Sequence, residues 1–347
     1  MRLDHSHEGD EPSDLTALLL RPPIDTRDGV YNYVPSSEDY CGNFGSQWNE
    51  FRQVQIDSLT GRNDSHERFF RETGWAAEDL PGKVLLDAGC GAGRFAEVAL
   101  EAGARVVAAD ISEAAYACAR TLQRFDASKY LVVRGDLRKL PLRGGSFDGV
   151  YALGVLQHTP DPLASLADLV PLLKPGGRLA TWIYEKPPEL LRRALPRTYL
   201  RAITSHWASN RKLVLARVLT GIGFPVGWAL SWFGRFGERV SYFLPYAARH
   251  HLARGEFKRQ WRYCVMDTFD WYGPLYENPQ TERDIVTAMV MSGLAKVVRR
   301  NARGMAITGE RPVVEATREP TNTDSGEAGV KVGCHHEVDQ NGRVRFH

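Results

Sequence analysis

The chain of 347 residues is poor in cysteine, and its five cysteines are scattered. Their odd number and the lack of a Cys-x-x-Cys pair argue against a disulfide framework and a structural zinc site. A Cys-His-His run at residues 334–336 has no acids at ligand spacing. We therefore predict no metal ion and a reducing compartment. The cysteines are Cys41, Cys90, Cys118, Cys264 and Cys334.

A large net charge is also missing, because 44 basic and 42 acidic residues leave a formal charge of +2. This balance gives no general attraction to nucleic acid, and we expect no DNA partner. Residues Met1–Asp14 are rich in Asp, Glu and His and have no apolar centre. That composition is not typical of a secretory signal, so we expect a cytoplasmic protein.

Long apolar runs are scarce. The longest uncharged stretch lies between Arg217 and Arg235, and it falls short of the roughly 20 apolar residues of a membrane-spanning helix. Three glycines and Pro225 within it are expected to interrupt any helix. The surrounding residues 187–260 contain thirteen Lys or Arg against three Glu, a local charge of +10. The rest of the chain therefore carries about −8.

Three interpretations of this basic, apolar region remain open. It is a helical cap buried against the core, or an interfacial element that touches anionic lipid or a lipid-linked substrate, or a true membrane span. Basic residues close to Trp207 would also suit the phosphate groups of a nucleotide-sugar or lipid diphosphate. We therefore expect peripheral contact with a membrane as one candidate role.

The most informative segment present is a glycine turn between a strand and a helix. The apolar residues Val84–Leu86 end on Asp87, and glycines follow at positions 89, 91 and 93. Glycine is required where the backbone takes conformations closed to other residues and lies against a ligand. A second apolar run ends on Asp110, which is placed to accept hydrogen bonds from both hydroxyls of a ribose. The segment predicts a nucleoside-containing cofactor.

The charge before the turn favours one such cofactor. Asp87 would repel the pyrophosphate of a dinucleotide, whereas it suits the ammonium group of S-adenosylmethionine. The spacing Gly-x-Gly-x-Gly also departs from the dinucleotide pattern Gly-x-Gly-x-x-Gly. The string resembles motif I of the class I S-adenosylmethionine-dependent methyltransferases, and Asp110 matches their ribose-binding acid.

Four further segments resemble the same family in the same order: residues 131–137, 146–151, 156–162 and 172–179. The resemblance implies that Asp136 accepts a hydrogen bond from the adenine amino group and that Leu137 packs beside the ring. The cofactor-binding residues it implies are Asp87, Gly89, Cys90, Gly91, Gly93, Asp110, Ile111, Asp136, Leu137, Leu153 and Gln157.

Alternating strands and helices predict an α/β fold. The expected architecture is a Rossmann-like, doubly wound, seven-stranded sheet with an N-terminal helical lid and a helical insertion after strand five, and the family places its final strand antiparallel. The predicted divisions are a disordered N-terminus (1–28), a lid segment (29–75), the methyltransferase core (76–186 and 263–312), a basic apolar insertion (187–262) and a tail (313–347).

Two segments outside the core resemble bacterial methyltransferases found among sugar- and polysaccharide-modifying enzymes. In residues 40–57 large side chains recur at helical spacing, which predicts either a packing helix or a lid over the cofactor. Residues 267–276 offer two carboxylates among aromatic rings, suited to a polyhydroxylated or cationic acceptor or to packing at a domain seam. The candidate acceptor contacts are Gln47, Trp48, Arg52, Trp271, Tyr272 and Tyr276.

The expected chemistry is in-line methyl transfer, in which the protein mainly aligns the reacting atoms. A hydroxyl acceptor needs a base, and His158 after strand four is the first candidate, with a pocket-shaping role as its alternative. Asp267 and Asp270 are the reserve candidates. We predict a bacterial, biosynthetic S-adenosylmethionine-dependent methyltransferase that modifies oxygen on a small-molecule, sugar or natural-product acceptor. An RNA methyltransferase, a non-catalytic cofactor-binding subunit and a nicotinamide dehydrogenase are the alternatives.

Overall fold

A central mixed sheet organises the first of the two units into which the chain divides, residues 1–313 and 314–347. The computed structural model describes residues 15–35, 42–247, 257–301, 304–313, 337–338 and 344–345. The strands of this sheet are β1 (Asp25–Arg27), β2 (Val30–Asn32), β3 (Val84–Ala88), β4 (Arg105–Asp110), β5 (Tyr130–Arg134), β6 (Phe147–Leu153), β7 (Leu173–Ile183), β8 (Ala295–Arg299) and β9 (Met305–Glu310).

The strand order is β1-β2-β5-β4-β3-β6-β7-β9-β8. Neighbours from β2 to β7 pair in parallel, and β9 pairs antiparallel with β7, which confirms the antiparallel final strand. The chain builds outward from β3 in one direction through β4 and β5, and in the other through β6 and β7. This reversal makes a crevice at the carboxyl ends of β3 and β6, the usual ligand site of such sheets.

Helices cover both faces of the sheet and extend beyond it. They are α1 (Gly42–Gln55), α2 (Asp57–Thr60), α3 (Asp64–Thr73), α4 (Arg94–Glu101), α5 (Ala114–Leu122), α6 (Pro162–Leu169), α7 (Glu189–Ala194), α8 (Pro196–Thr204), α9 (Ser209–Leu230), α10 (Gly234–Ser241), α11 (Phe257–Tyr272) and α12 (Glu282–Met291). Short 3₁₀ turns lie at Leu15–Leu18, Ala77–Asp79, Ala127–Lys129, Leu137–Lys139, Leu156–His158, Val170–Leu172 and Ser231–Phe233.

The two faces of the sheet bury different side chains of the same strands. On β4, Val107 and Ala109 belong to one apolar cluster, and Val106 and Ala108 belong to the other. Successive side chains of a strand point to opposite faces, so a strand buried on both faces is apolar throughout. This is why β3 and β4 were recognisable as apolar runs that end on acids.

The sheet has nine strands, where the sequence predicted seven. The added strands, β1 and β2, form a hairpin whose turn is Asp28-Gly29, and both turn residues have positive φ, 52° and 75°. Asp-Gly is a preferred pair for such a turn. Val30 is fully buried, and β2 pairs in parallel with β5. Residues 15–28 are therefore ordered, which differs from the disordered N-terminus predicted for residues 1–28.

Helices α7 to α10 form the insertion after β7, and α9 runs unbroken through Pro225. The expectation that glycines and proline interrupt this helix is therefore wrong. The glycines serve packing instead: a Cβ on Gly223 or Gly227 would lie 2.3 Å or 1.7 Å from the ring or hydroxyl of Tyr246. The bare backbone thus makes room for a fully buried aromatic side chain.

A buried lysine ties the insertion to α11. The Lys212 ammonium donates hydrogen bonds to the carbonyl oxygens of Ser205 and Gly273, both at 2.8 Å. These carbonyls lie at the carboxyl ends of α8 and α11, where a positive charge is favourable. Three helices are thereby held together, because one side chain on α9 bonds to the carboxyl ends of the other two.

Matched glycine substitutions test this packing. We expect Gly227→Ala to destabilise the protein by about 1–3 kcal/mol, because the new Cβ overlaps the Tyr246 hydroxyl. Gly221→Ala is the control, since its Cβ meets Trp261 at an ordinary 3.6 Å and alanine favours a helix interior by about 1 kcal/mol. Thermal melts should therefore shift in opposite directions. Equal shifts for the two variants would contradict the packing of α9 on Tyr246.

The segment with Asp267 and Asp270 is helical. It forms the last two turns of α11, and the predicted boundary between residues 262 and 263 falls inside this helix. Nine of its sixteen residues are buried, so packing against the rest of the protein holds the helix. Asp267 and Asp270, three residues apart, share one face.

The second unit spans residues 314–347. Its described residues are two short strands, β10 (Glu337–Val338) and β11 (Val344–Arg345), which pair antiparallel. The Cys-His-His run at residues 334–336 lies outside the described residues.

Candidate functional site

A cavity of about 1560 Å³ opens at the carboxyl ends of β3, β4, β6 and β7. Helices α1, α8 and α11 supply its other walls, so the sheet crevice, the predicted lid and the insertion all meet there. A single cavity of this size exceeds the roughly 300–1,000 Å³ of a typical small-ligand pocket. It has room for two molecules at once.

The glycine turn lines one end of the cavity and needs glycine for two reasons. Gly89 and Gly91 have φ of 88° and 52°, in the left-handed region. A Cβ on Gly89 would lie 2.3 Å from Val155, and one on Gly91 would lie 3.1 Å from the indole nitrogen of Trp48. The backbone of the turn therefore lies close against its neighbours.

The amides of this turn are already used within the protein. Gly89 and Cys90 both donate to the Ala109 carbonyl oxygen, at 2.7 and 2.9 Å, and Gly93 donates to the Cys90 carbonyl oxygen at 2.8 Å. Gly91 donates to the Asp110 carboxylate at 2.9 Å. A phosphate-binding turn presents unsatisfied amides to its ligand. The geometry therefore disfavours a dinucleotide pyrophosphate at this turn.

Asp110 stands at the end of β4 and lines the cavity. Its Oδ2 accepts the Gly91 amide, and its Oδ1 accepts the amide and hydroxyl of Ser112 at 2.8 and 2.7 Å. An ionised carboxylate has about four acceptor positions. The three bonds fix the orientation of the carboxylate, and they join the glycine turn to the start of α5.

Asp87 is buried beneath the turn and does not line the cavity. Burial and, to a smaller extent, the nearby Asp110 charge raise the pKa of its carboxyl to about 8, while the neighbouring Tyr151 hydroxyl and the Ala96 amide oppose the shift. Because Ala96 belongs to the first turn of α4, the carboxyl supports a helix N-terminus. Asp87 therefore lies under the glycine turn and holds it in place, and it does not itself reach the cavity.

The raised pKa of Asp87 predicts a pH dependence of stability. The folded protein keeps a proton on Asp87 up to about pH 8, whereas the unfolded chain releases it near 3.8. The stabilisation that comes from this proton is fully present below pH 3.8, the pKa in the unfolded chain, and it is lost as the pH rises through about 8. We expect the melting temperature of Asp87→Asn, relative to the unchanged protein, to rise from about pH 5 to about pH 8. A constant difference in cofactor-free melts would contradict this prediction.

Six of the predicted cofactor residues besides Asp110 line the cavity: Gly89, Cys90, Gly91, Ile111, Leu137 and Leu153. Three do not. Gly93 packs against Cys118, Asp136 forms an ion pair with Arg138 at 2.6 Å, and the Gln157 carboxamide is fully buried without a hydrogen-bond partner in the described part of the chain. The apolar lining residues surround Asp110, as a slot for a nucleoside requires.

Helix α1 covers the glycine turn. Trp48 lies against Gly91, and the Phe44 ring contacts His158 with centroids 4.9 Å apart. The Gln47 carboxamide is buried, and within the described residues its oxygen has no hydrogen-bond partner. Gln47, Trp48 and Arg52 all line the cavity. The structure therefore brings the three predicted contacts of this helix to the site.

His158 sits where the cavity passes from the glycine turn toward α11. Its Nδ1 lies 3.1 Å from the Tyr276 carbonyl oxygen. A carbonyl only accepts hydrogen bonds, so Nδ1 carries the proton and Nε2 has the lone pair. No described residue forms a hydrogen bond with Nε2. The hydrogen bond from Nδ1 thus orients the imidazole, and Nε2 is the nitrogen that can accept a proton.

Both predicted aspartates line the cavity near this histidine. Asp270 accepts a 2.8 Å hydrogen bond from the Tyr184 hydroxyl, and the Tyr184 ring packs edge-on against His158 with centroids 5.6 Å apart. Tyr184 therefore joins the two candidates, and the sequence analysis missed it. Its signal was its place just after β7, two residues beyond Trp182 and so on the same side of the chain.

The far wall contains a stacked arginine that the sequence analysis also missed. The Arg197 guanidinium lies over the rings of Trp271 and Tyr242, at 4.7 and 5.0 Å, and all three residues line the cavity. The other two aromatics predicted in residues 267–276 do not line it: the Tyr272 hydroxyl donates to the Pro245 carbonyl oxygen, and Tyr276 contacts the site through its backbone. Trp271 alone remains an acceptor-wall candidate among the three.

These residues fit S-adenosylmethionine better than a phosphate-bearing cofactor. The fit rests on Asp110 for a ribose, the apolar slot for an adenine, and the buried, unpartnered oxygen of Gln47 for a hydrogen-bond donor. A pyrophosphate site requires unsatisfied backbone amides, and the glycines named above do not provide them. The site therefore suits a nucleoside with a cationic end.

Comparison with known proteins agrees with this chemistry. Residues 86–181 match a family model described as a methyltransferase domain. The ubiquinone biosynthesis O-methyltransferase of Xanthomonas campestris is 39% identical over 106 residues, which are 29% of this chain and 42% of that protein. The malonyl-[acyl-carrier protein] O-methyltransferase of Serratia marcescens is 40% identical over 97 residues, 28% of this chain and 36% of that protein. The chain thus spans less than half the length of these relatives.

Among solved structures, the chain is similar to the magnesium protoporphyrin IX methyltransferase of Synechocystis with bound S-adenosylhomocysteine. The TM-score is 0.44 with 19% identity, over 79% of this chain and 98% of that one. It is also similar to the 1,6-didemethyltoxoflavin-N1-methyltransferase of Burkholderia thailandensis, with a TM-score of 0.41 and 18% identity over 84% and 94% of the two chains.

Proposed function

Because the chain contains a class I S-adenosylmethionine-dependent methyltransferase domain, we propose that it transfers the methyl group of this cofactor to a hydroxyl oxygen of a small acceptor. The observation that carries the proposal is His158, which lines the cavity with its Nδ1 bonded to a carbonyl and its Nε2 basic. A hydroxyl acceptor needs such a base, whereas a neutral amine does not need one before attack.

S-adenosylmethionine supplies an activated methyl group when it is bound. Asp110 would hold the ribose hydroxyls, and Ile111, Leu137 and Leu153 would enclose the adenine. Gln47 from α1 offers the amide oxygen that a cationic amino group prefers. Trp48 closes the turn from above and excludes water from this end of the cavity.

The protein's own part in the reaction is alignment and proton removal. Phe44 and Tyr184 pack on the imidazole of His158 and restrict its rotation. His158 Nε2 would take the proton of the attacking hydroxyl, and the Tyr276 carbonyl would stabilise the charged ring through Nδ1. Asp270 is connected to this ring through Tyr184, whose hydroxyl donates to the Asp270 carboxylate while its ring packs on the imidazole.

The acceptor class that best suits the cavity is a sugar or natural product with several hydroxyl groups. Flat aromatic faces bind such molecules, and carboxylates accept their hydroxyl protons. Trp182, Trp271, Asp267 and Asp270 line the cavity and provide these groups. The two curated relatives named above are both O-methyltransferases, which supports oxygen as the methylated atom.

The test is methyl transfer with a labelled methyl donor. The purified chain is incubated with labelled S-adenosylmethionine and fractionated bacterial extracts, and mass spectrometry locates the new methyl group. Label on the oxygen of a small molecule supports the proposal. Tight cofactor binding without transfer would indicate a non-catalytic subunit, and label in an RNA fraction with salt-sensitive association would indicate an RNA methyltransferase.

A further inference from the structure

The insertion exposes a large apolar face that the methyl-transfer site does not use. On α9, Val214, Val218, Ile222 and Val226 recur every four residues and are exposed, while the opposite ridge packs against α11. Residues four apart lie on one side of a helix. Soluble proteins rarely expose a continuous apolar ridge of this length without a partner for it.

Aromatic side chains continue the face beyond α9. Trp228 and Trp232 pack edge-to-face with centroids 5.7 Å apart, and Trp232 and Phe236 are 62% and 69% exposed. Phe233, just before α10, and Val240 on α10 are also exposed. Large aromatics of this kind, tryptophan above all, favour the boundary between water and lipid.

Positive charge borders the same face. Arg211 lies at the start of α9, and Arg235 and Arg239 lie on α10, whereas Arg217 of α9 is paired with Glu50 of α1. Arg235 and Arg239 are exposed and make no ion pair with any described residue. An apolar face bordered by unneutralised arginines matches a surface that is apolar inside and negatively charged at its boundary.

We infer that this face, made by α9 and α10, docks the protein on an anionic lipid bilayer, with Trp232 and Phe236 inserted at the headgroup boundary. A second copy of the chain suits it less well. A two-fold contact places the same patch on both sides, so that arginines would face arginines across the interface.

The face lies on the membrane surface and does not span it. The region Ser209–Ser241 is long and apolar enough to cross a membrane, and only 28% of its most apolar window is buried in the protein, so exposure alone does not separate the two cases. Its other ridge is committed to α11 by Lys212 and Tyr246, as described above. One side of α9 therefore packs against the rest of the protein, and the opposite side is exposed and can contact lipid.

The docking face reaches the cavity through Tyr242. This residue lines the cavity, and the next residue, Phe243, is exposed beside Val240. A docked protein would present this side of its cavity near the headgroups, so the acceptor class would be an amphiphile with a hydroxylated head. This extension to the acceptor rests on the proposed function, whereas the docking itself does not.

Vesicle sedimentation with the full chain tests the docking. Phosphatidylcholine vesicles with added phosphatidylglycerol should bind the protein roughly tenfold or more tightly than phosphatidylcholine alone. Arg235→Gln with Arg239→Gln should remove that preference. Trp232→Ser with Phe236→Ser should weaken binding to both kinds of vesicle, by roughly 100-fold for the anionic ones. Met291→Ser, at an 82% exposed residue of α12, is the matched control and should bind normally.

Unchanged binding of the Trp232/Phe236 double variant would overturn the inference. So would a dimer in sedimentation equilibrium that this variant dissociates, because the face would then join two copies. All changed residues are exposed, and equal melting temperatures confirm folding of each variant. Binding is measured without cofactor or acceptor, so its failure leaves the proposed methyl transfer untouched. With docking established, transfer to water-soluble acceptors alone would overturn the extension to amphiphiles.

Discussion

Replacement of Asp110 by alanine should weaken binding of S-adenosylhomocysteine by roughly 10- to 150-fold. A hydrogen bond to a charged group contributes about 1.5–3 kcal/mol, and each 1.4 kcal/mol is a factor of ten in affinity. The ribose would lose its carboxylate partner. The Gly91 amide, which now donates to Asp110, would lose its acceptor as well, so the turn itself would relax. Isothermal titration calorimetry of the purified variant measures the change.

A matched aspartate separates cofactor binding from turn stability. Asp126 also accepts a backbone amide two residues later, that of Ser128 at 2.9 Å, but it lies on the surface away from the cavity. Asp126→Ala should therefore lose a comparable turn contact and keep its cofactor affinity. If Asp110→Ala bound S-adenosylhomocysteine as tightly as Asp126→Ala does, the ribose assignment would be wrong.

The cofactor end of the site was predictable from the sequence for a local reason. β3 and β4 are parallel neighbours, so residues that end them, such as Asp110, meet at one edge of the sheet with the glycine turn. Both the apolar runs and the glycines are visible in the sequence. The motif spacing was therefore sufficient to predict which of these residues lie close together in the fold.

The acceptor end depends on contacts that short-range patterns do not encode. Tyr184 reaches Asp270 across 86 positions, and His158 reaches the Tyr276 carbonyl across 118. Helix α9 is continuous through its proline and glycines, because the Tyr246 side chain fills the space beside the glycines. The Asp28-Gly29 hairpin did have a local signal, and its strands were missed because each has only three residues.

Removal of the His158 side chain should lower turnover by roughly 100- to 10,000-fold, the usual contribution of a general base. The cofactor contacts assigned above lie on α1, β4 and the turns that follow β3, β5 and β6, so His158→Ala should leave the affinity for S-adenosylhomocysteine nearly unchanged. A loss confined to kcat would indicate proton removal, because a residue that only shapes the acceptor pocket changes KM as well.

A histidine outside the site supplies the control for this prediction. His66 is exposed and packs edge-on against Phe70 with ring centroids 4.8 Å apart, so His66→Ala also removes an imidazole from an aromatic contact. It should retain full turnover.

Tyr184→Phe keeps the ring that packs on His158 and removes the hydroxyl bonded to Asp270. If His158 is the base and Asp270 supports it through this bond, Tyr184→Phe should lower kcat less than His158→Ala does. Full activity in His158→Ala would instead leave the deprotonation of the acceptor to Asp267 or Asp270, the two other ionisable candidates on this wall of the cavity.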